Sequence, residues 1–180
     1  MDKSFAIEVC GMGNNITGYP GAFTPVVNEI ITKTIHGSKN VLHLFSGASR
    51  IGNERVDMER PEATLRQDVM TFVKSDKRNW EFVVLDPPYE IHRKSKIEEY
   101  GRTSSVAADV ELRRTLEQYF IHHADNLLWL DMCAPLPEGF RRRKLWFFFP
   151  GGYHTLRILS WLERYINPLL PPVRRGKRRG

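Results

Sequence analysis

The stretch Val83-Val84-Leu85-Asp86-Pro87-Pro88-Tyr89 constrains this chain more than any other. Three consecutive apolar residues fit the end of a strand buried on both faces, the condition of strands in a parallel sheet. The chain then meets two prolines, which fix φ, donate no backbone N–H and force an extended turn. A carboxylate (Asp86) and an aromatic ring (Tyr89) are thereby held just past the carboxyl end of a strand. In open α/β sheets that edge is where ligands bind. A bare strand and proline turn with an exposed acid is the plainer alternative.

The segments around it read as alternating strands and helices. Residues 10–22 hold four glycines and two asparagines and close an N-terminal loop segment over 1–22. Thr24 is a good N-cap and Pro25 suits the first helical position. Val27, Ile30, Ile31 and Thr34 make one apolar side, and Gly37 stops the helix. Val41 to Phe45 is a buried strand running into Ser46-Gly47-Ala48-Ser49, small residues that let backbone N–H groups approach a ligand or simply make a tight turn. Val56-Asp57-Met58 and Gln67-Asp68-Val69 read as short strands ending in an acid. An acid at the second strand tip is where nucleotide-binding α/β folds hold ribose hydroxyls. An amphipathic segment follows from Met70 to about Lys77, and then the strand from Trp80 to Asp86.

Beyond Tyr89, residues 90–104 are polar and charged, and read as a loop above the site. Ser104 or Ser105 caps a helix whose apolar side is Leu112, Leu116, Tyr119, Phe120 and His123. His122 and His123 are adjacent, so on a helix they face different ways; no metal site is expected there. Leu127 to Met132 is a fifth strand. Leu145–Phe149 and Leu156–Leu162 form a hairpin at Pro150-Gly151-Gly152, and their aromatic residues are sheet core.

Composition narrows the function classes. No run of about 18 apolar residues suggests a membrane span. Met1-Asp2-Lys3-Ser4 lacks the layout of a signal peptide, and Cys10 and Cys133 form neither a disulfide framework nor a metal-ligand spacing. A reducing cytoplasm is the expected location. The net charge of +6 is uneven: Arg141, Arg142, Arg143 and Lys144, with Arg174, Arg175, Lys177, Arg178 and Arg179, hold nine of the 27 basic residues. Clustered basic charge attracts a polyanion, of which nucleic acid is the commonest, although a solvated face would carry the same charge.

In this order of elements the motif Asp86-Pro87-Pro88-Tyr89 resembles the catalytic motif of S-adenosylmethionine-dependent amino-methyltransferases of nucleic-acid bases. The resemblance covers about residues 22–162. It implies the class I methyltransferase fold, a Rossmann-like α/β domain over 23–166. Its sheet would be mostly parallel and seven-stranded, with a C-terminal antiparallel hairpin, ahead of a basic tail over 167–180. It also implies S-adenosylmethionine as cofactor and methyl transfer to a base amine. Adenine N6 in DNA is the commonest assignment of the motif. A cytosine, adenine or guanine amine in RNA is the first alternative, and a catalytically degenerate nucleic-acid-binding subunit the second. By resemblance, Phe23, Thr24 and Pro25 pack the methionine end of the cofactor, and Phe45, Ser46 and Gly47 begin its loop. Asp57, with Met58, takes the ribose hydroxyls, and Asp68, with Val69, the adenine amine. Asp86, Pro87, Pro88 and Tyr89 are catalytic. Arg93 and Lys94 join the basic clusters on nucleic acid, and a partner protein or a second copy would supply target recognition. Two positions depart from the pattern: Ser49 replaces the loop's second glycine, and the ten residues between Phe45 and Val56 are too few for a full helix.

Overall fold

The computed structural model describes residues 5–16, 22–87, 110–151 and 156–165. Among these residues eight strands form one mixed sheet: β1 (Ala6–Gly11), β2 (Val41–Leu44), β3 (Glu54–Asp57), β4 (Leu65–Arg66), β5 (Trp80–Leu85), β6 (Ala124–Asp131), β7 (Phe140–Phe149) and β8 (Arg157–Arg164). Among the described residues three helices accompany it: α1 (Pro25–Thr34), α2 (Val69–Ser75) and α3 (Val110–His123). The strand order is β1-β7-β8-β6-β5-β2-β3-β4.

The expected sheet is corrected in two respects. It has eight strands rather than seven, because Ala6–Gly11, read as loop, pairs in parallel with β7 at the edge. Phe5, Ile7 and Val9 do alternate with Ala6, Glu8 and Cys10, the two-residue period of a strand, but the run is short, runs into the glycine-rich stretch and leaves Ile7 and Val9 exposed. The sheet is mixed: β8 runs antiparallel to both β6 and β7. The expected hairpin is β7–β8, with β7 reaching back to Phe140 and so taking the basic cluster into the ladder.

Two apolar layers sandwich the sheet. Val27 and Ile31 of α1 pack with Val41, Val84, Leu128 and Leu159 on one face. Phe72 and Val73 of α2, with Leu112, Leu116 and Phe120 of α3, pack with Leu42, Leu44, Val83 and Leu127 on the other. Alternate strand residues thus serve opposite layers, as the pleat requires. At the amino end of β5 the buried Asp76 carboxylate accepts hydrogen bonds from the Trp80 indole (3.0 Å) and the Tyr119 hydroxyl (2.6 Å). Among the described residues no helix is long and apolar enough to cross a membrane.

The topology places the site. From β2 the chain moves outward through β3 and β4, then crosses back to β5 on the other flank of β2 and continues to β6. The sheet order reverses between β2 and β5, where Leu44 lies beside Leu85 in parallel register. At such a switch point the two connections diverge to opposite faces and leave a crevice at the carboxyl ends.

Candidate functional site

Two strand tips lie side by side at that switch point. The first, Phe45, leaves β2 with φ +57°. For a residue with a bulky side chain this left-handed conformation costs on the order of 1–3 kcal/mol. Partial packing of Phe45 against the α2/α3 core layer helps hold it there. The next residue, Ser46, is buried and donates its N–H to the Val56 carbonyl (3.1 Å), tying the tip to β3. Its hydroxyl is also buried and meets no hydrogen-bond partner among the described residues. Gly47 then turns at φ +52° and donates its N–H to Oδ2 of Asp57 (2.9 Å).

Asp57 stands at the end of β3, as expected, and its carboxylate is already at work. Oδ1 accepts from the N–H groups of Glu59 (3.1 Å) and Arg60 (3.2 Å), which fills its two lone pairs. Oδ2 accepts from Gly47 through one lone pair and has a second that meets no donor among the described residues. Met58 beside it is exposed. The short connection from β2 to β3 contains no helix, and Ser49 has its own task in it: its hydroxyl accepts from the N–H of Ile51 (3.2 Å).

The second tip carries Asp86 and Pro87. Asp86 is 11 % exposed and Pro87 is buried, whereas Pro88 and Tyr89 lie outside the described residues, as do Arg93 and Lys94. Oδ1 of Asp86 forms an ion pair with Nη2 of Arg157 at 2.7 Å. Sequence reading missed Arg157 altogether. Nothing in the pattern of β8 marks its first residue, and only the order β5-β6-β8 brings its side chain to Asp86.

The other expected cofactor residues divide. Phe23 stacks on the imidazole of His43 in β2 (5.4 Å between centroids, 8° between planes). Thr24 is buried and caps α1, its hydroxyl accepting from the N–H of Val27 at 3.5 Å, with Pro25 as the first helical residue. Asp68 is not at a strand tip, because β4 ends at Arg66; it is the N-cap of α2, and Oδ1 accepts from the N–H of Thr71 (3.1 Å). Val69 is 5 % exposed and belongs to the α2/α3 core layer, which withdraws it from a ligand surface.

His43 is wholly buried. Desolvation holds its imidazole down at about 4, against a weaker opposing contribution from the Ile51 carbonyl 3.3 Å from Nδ1. His122 and His123 end α3; His123 stacks on Tyr119 and places Nδ1 2.8 Å from the Arg78 carbonyl. Among the described residues no group of three or more side chains of metal-ligating type gathers.

The basic cluster of β7 is tied inward. Arg141 donates through Nε (2.9 Å) and Nη2 (2.6 Å) to Oε2 of Glu163, directly opposite on β8. Arg143 lies 3.8 Å from the same carboxylate oxygen, Lys144 pairs with Glu8 at 2.6 Å, and Arg142 donates to the Ala134 carbonyl at 2.7 Å. Two carboxylates therefore offset half of its four charges. The terminal cluster, Arg174 to Arg179, lies outside the described residues.

No family model matches the chain, and no curated protein matches it. Among solved structures it is similar to a crystal structure described as that of a "putative RNA methyltransferase" from Pyrococcus horikoshii, with 13% sequence identity and a TM-score of 0.47. The match covers 88% of this chain and 93% of that one. What the site does has to be argued from its own residues.

Proposed function

We propose that this chain is an S-adenosylmethionine-dependent methyltransferase acting on the exocyclic amine of a nucleic-acid base, with RNA ahead of DNA as substrate. The observation that carries the reading is the pairing of two tips at the switch point: Phe45–Gly47 beside Asp86–Pro87. The first is a backbone turn of small residues beside an acid, suited to a nucleoside. The second is a carboxylate that accepts from Arg157 and is followed by a proline, suited to an amine.

The residues present fit the cofactor on the ribose side. Asp57 keeps one lone pair on Oδ2 for a hydroxyl, and exposed Met58 offers an apolar surface to a purine. The buried Ser46 hydroxyl supplies a polar group that has no hydrogen-bond partner among the described residues. When bound, the cofactor supplies a sulfonium methyl group that leaves with its bonding electrons going to sulfur.

The chain's part is to make the amine a nucleophile. A base's exocyclic nitrogen is conjugated with its ring, so its lone pair attacks poorly. Hydrogen bonds from the amine to Asp86 and to the Pro87 carbonyl favour the pyramidal nitrogen that attack requires. They also place acceptors where positive charge develops, a preorganised electrostatic contribution. Tyr89 is assigned to stacking on the base. RNA is placed first because a folded RNA can present an unstacked base, whereas a duplex must pay to flip one out.

The test is labelled methyl transfer from S-adenosylmethionine to total RNA and total DNA in parallel, with identification of the methylated nucleoside. Asp86→Asn keeps the shape and removes the charge, and should lower the rate by a factor on the order of 10²–10³, while affinity for S-adenosylhomocysteine stays put. An undiminished Asp86→Asn protein would overturn the assigned role. Nucleic-acid binding by a wild type that transfers no methyl group would favour the degenerate-subunit reading.

A further inference from the structure

We propose that Arg157 is a positioning residue for this site, acting on the reaction only through Asp86; the inference rests on the function proposed above. The topology is what makes the contact. Because β8 runs antiparallel, its first residue lies at the edge where β5 and β6 end, with Ile158 opposite Asp131, the last residue of β6. Between Arg157 and Asp86 stands the whole of β6, so the side chains must together span two strand spacings of about 4.8 Å each. A long side chain with a terminal donor is needed, and Arg157 closes the gap to 2.7 Å.

The contact answers a specific weakness of the motif. Pro87 fixes the backbone after Asp86 but does not itself act on the carboxylate's torsions, which the Arg157 guanidinium reaches. Both partners of the pair are mostly out of solvent, at 15 % exposure for Arg157 and 11 % for Asp86. In that setting a charge-assisted hydrogen bond is stronger and shorter than at the surface, and a planar guanidinium sets direction as well as charge. Arg157 thus holds Oδ1 of the carboxylate in place before a base arrives. An acceptor misplaced by about 1 Å costs on the order of 10² in rate. Lysine would keep the charge and lose the flat fork; methionine would keep the length and lose the charge.

A kinetic double-mutant cycle on the full chain tests this, with Arg157→Met, Arg157→Lys, Asp86→Asn and the Arg157→Met/Asp86→Asn pair assayed on the RNA or DNA that the wild type methylates. Arg157→Met should lower kcat by about 10–100-fold with KM for nucleic acid and affinity for S-adenosylhomocysteine within about twofold. Arg157→Lys should recover part of that loss. In the Asp86→Asn background the Arg157→Met change should cost less than about twofold, because the group it orients is already disabled. Thermal melting of each variant checks that it folds; the lysine variant keeps the test open if the methionine one does not. Wild-type kcat in Arg157→Met, or losses that multiply in the double mutant, would overturn the inference and leave the proposed function standing. A wild type that methylates neither RNA nor DNA would overturn both.

Discussion

At the scale of single residues, His43 makes a prediction independent of any substrate. Its imidazole is fully buried under Phe23 and held at about 4, below the ordinary 6.5, chiefly because burial disfavours the charged form. Between those two values the unfolded chain binds a proton that the folded chain refuses, so stability should rise with pH across that window. The contribution is fully present above pH 6.5 and is lost as pH falls toward 4. A displacement of that size corresponds to about 3 kcal/mol. Denaturant unfolding at several pH values should show the slope, and His43→Phe should flatten it; an equal slope in that variant would remove His43 as its source. Asp86 and Arg157 show where reading a sequence stops at this scale. Asp86 stood out because two prolines after an apolar run leave few alternatives. Arg157 did not, because its role depends on which strands are neighbours, and local pattern carries no such information.

At the scale of elements, caps were legible and short strands were not. Thr24-Pro25 marked the start of α1 because capping chemistry is local, and the helix begins there. The two-residue β4 has too little alternation to be placed from sequence, so Asp68 has the look of a strand tip although it is the N-cap of α2. The same side chain cannot be judged by type alone: an acid after a strand and an acid before a helix look alike until the boundary is known. The structure therefore sets an expectation for Asp68→Ala. Losing the cap should cost about 1 kcal/mol of stability, seen as a lowered melting temperature, while calorimetric titration with S-adenosylhomocysteine remains unchanged. A clear loss of affinity instead would return Asp68 to the cofactor. Asp57 differs, since it binds three backbone N–H groups around the β2 and β3 tips. Asp57→Ala should lower both melting temperature and cofactor affinity, the latter by roughly 1.5–3 kcal/mol.

At the scale of the whole molecule, the proposed nucleic-acid substrate has two candidate basic clusters to meet. Charge composition pointed to two clusters, and composition cannot tell a cation facing solvent from one facing a carboxylate. In the fold, Arg141 and Arg143 share Glu163, and Lys144 takes Glu8 from the added edge strand. A phosphate reaching these side chains has to compete with partners already in place, and part of any gain is spent on breaking them. Exposed pairs of this kind contribute only about 0.2–1 kcal/mol each to stability, so their larger effect is to hold the β7–β8 hairpin and β1 in register. Residues 174–179 add five cations with no acid among them. Counterion release then separates the two clusters experimentally. Each single-stranded phosphate contact adds about 0.7 to the slope of log affinity against log salt. Removing residues 173–180 should lower that slope for RNA by about 2 or more, whereas Arg141→Ala with Arg143→Ala should change it by less than about 1 and lower the melting temperature. Filter binding across a salt series measures both. An unchanged slope after truncation, with a large drop in the double-alanine variant, would move the polyanion from the C-terminal basic run to the strand.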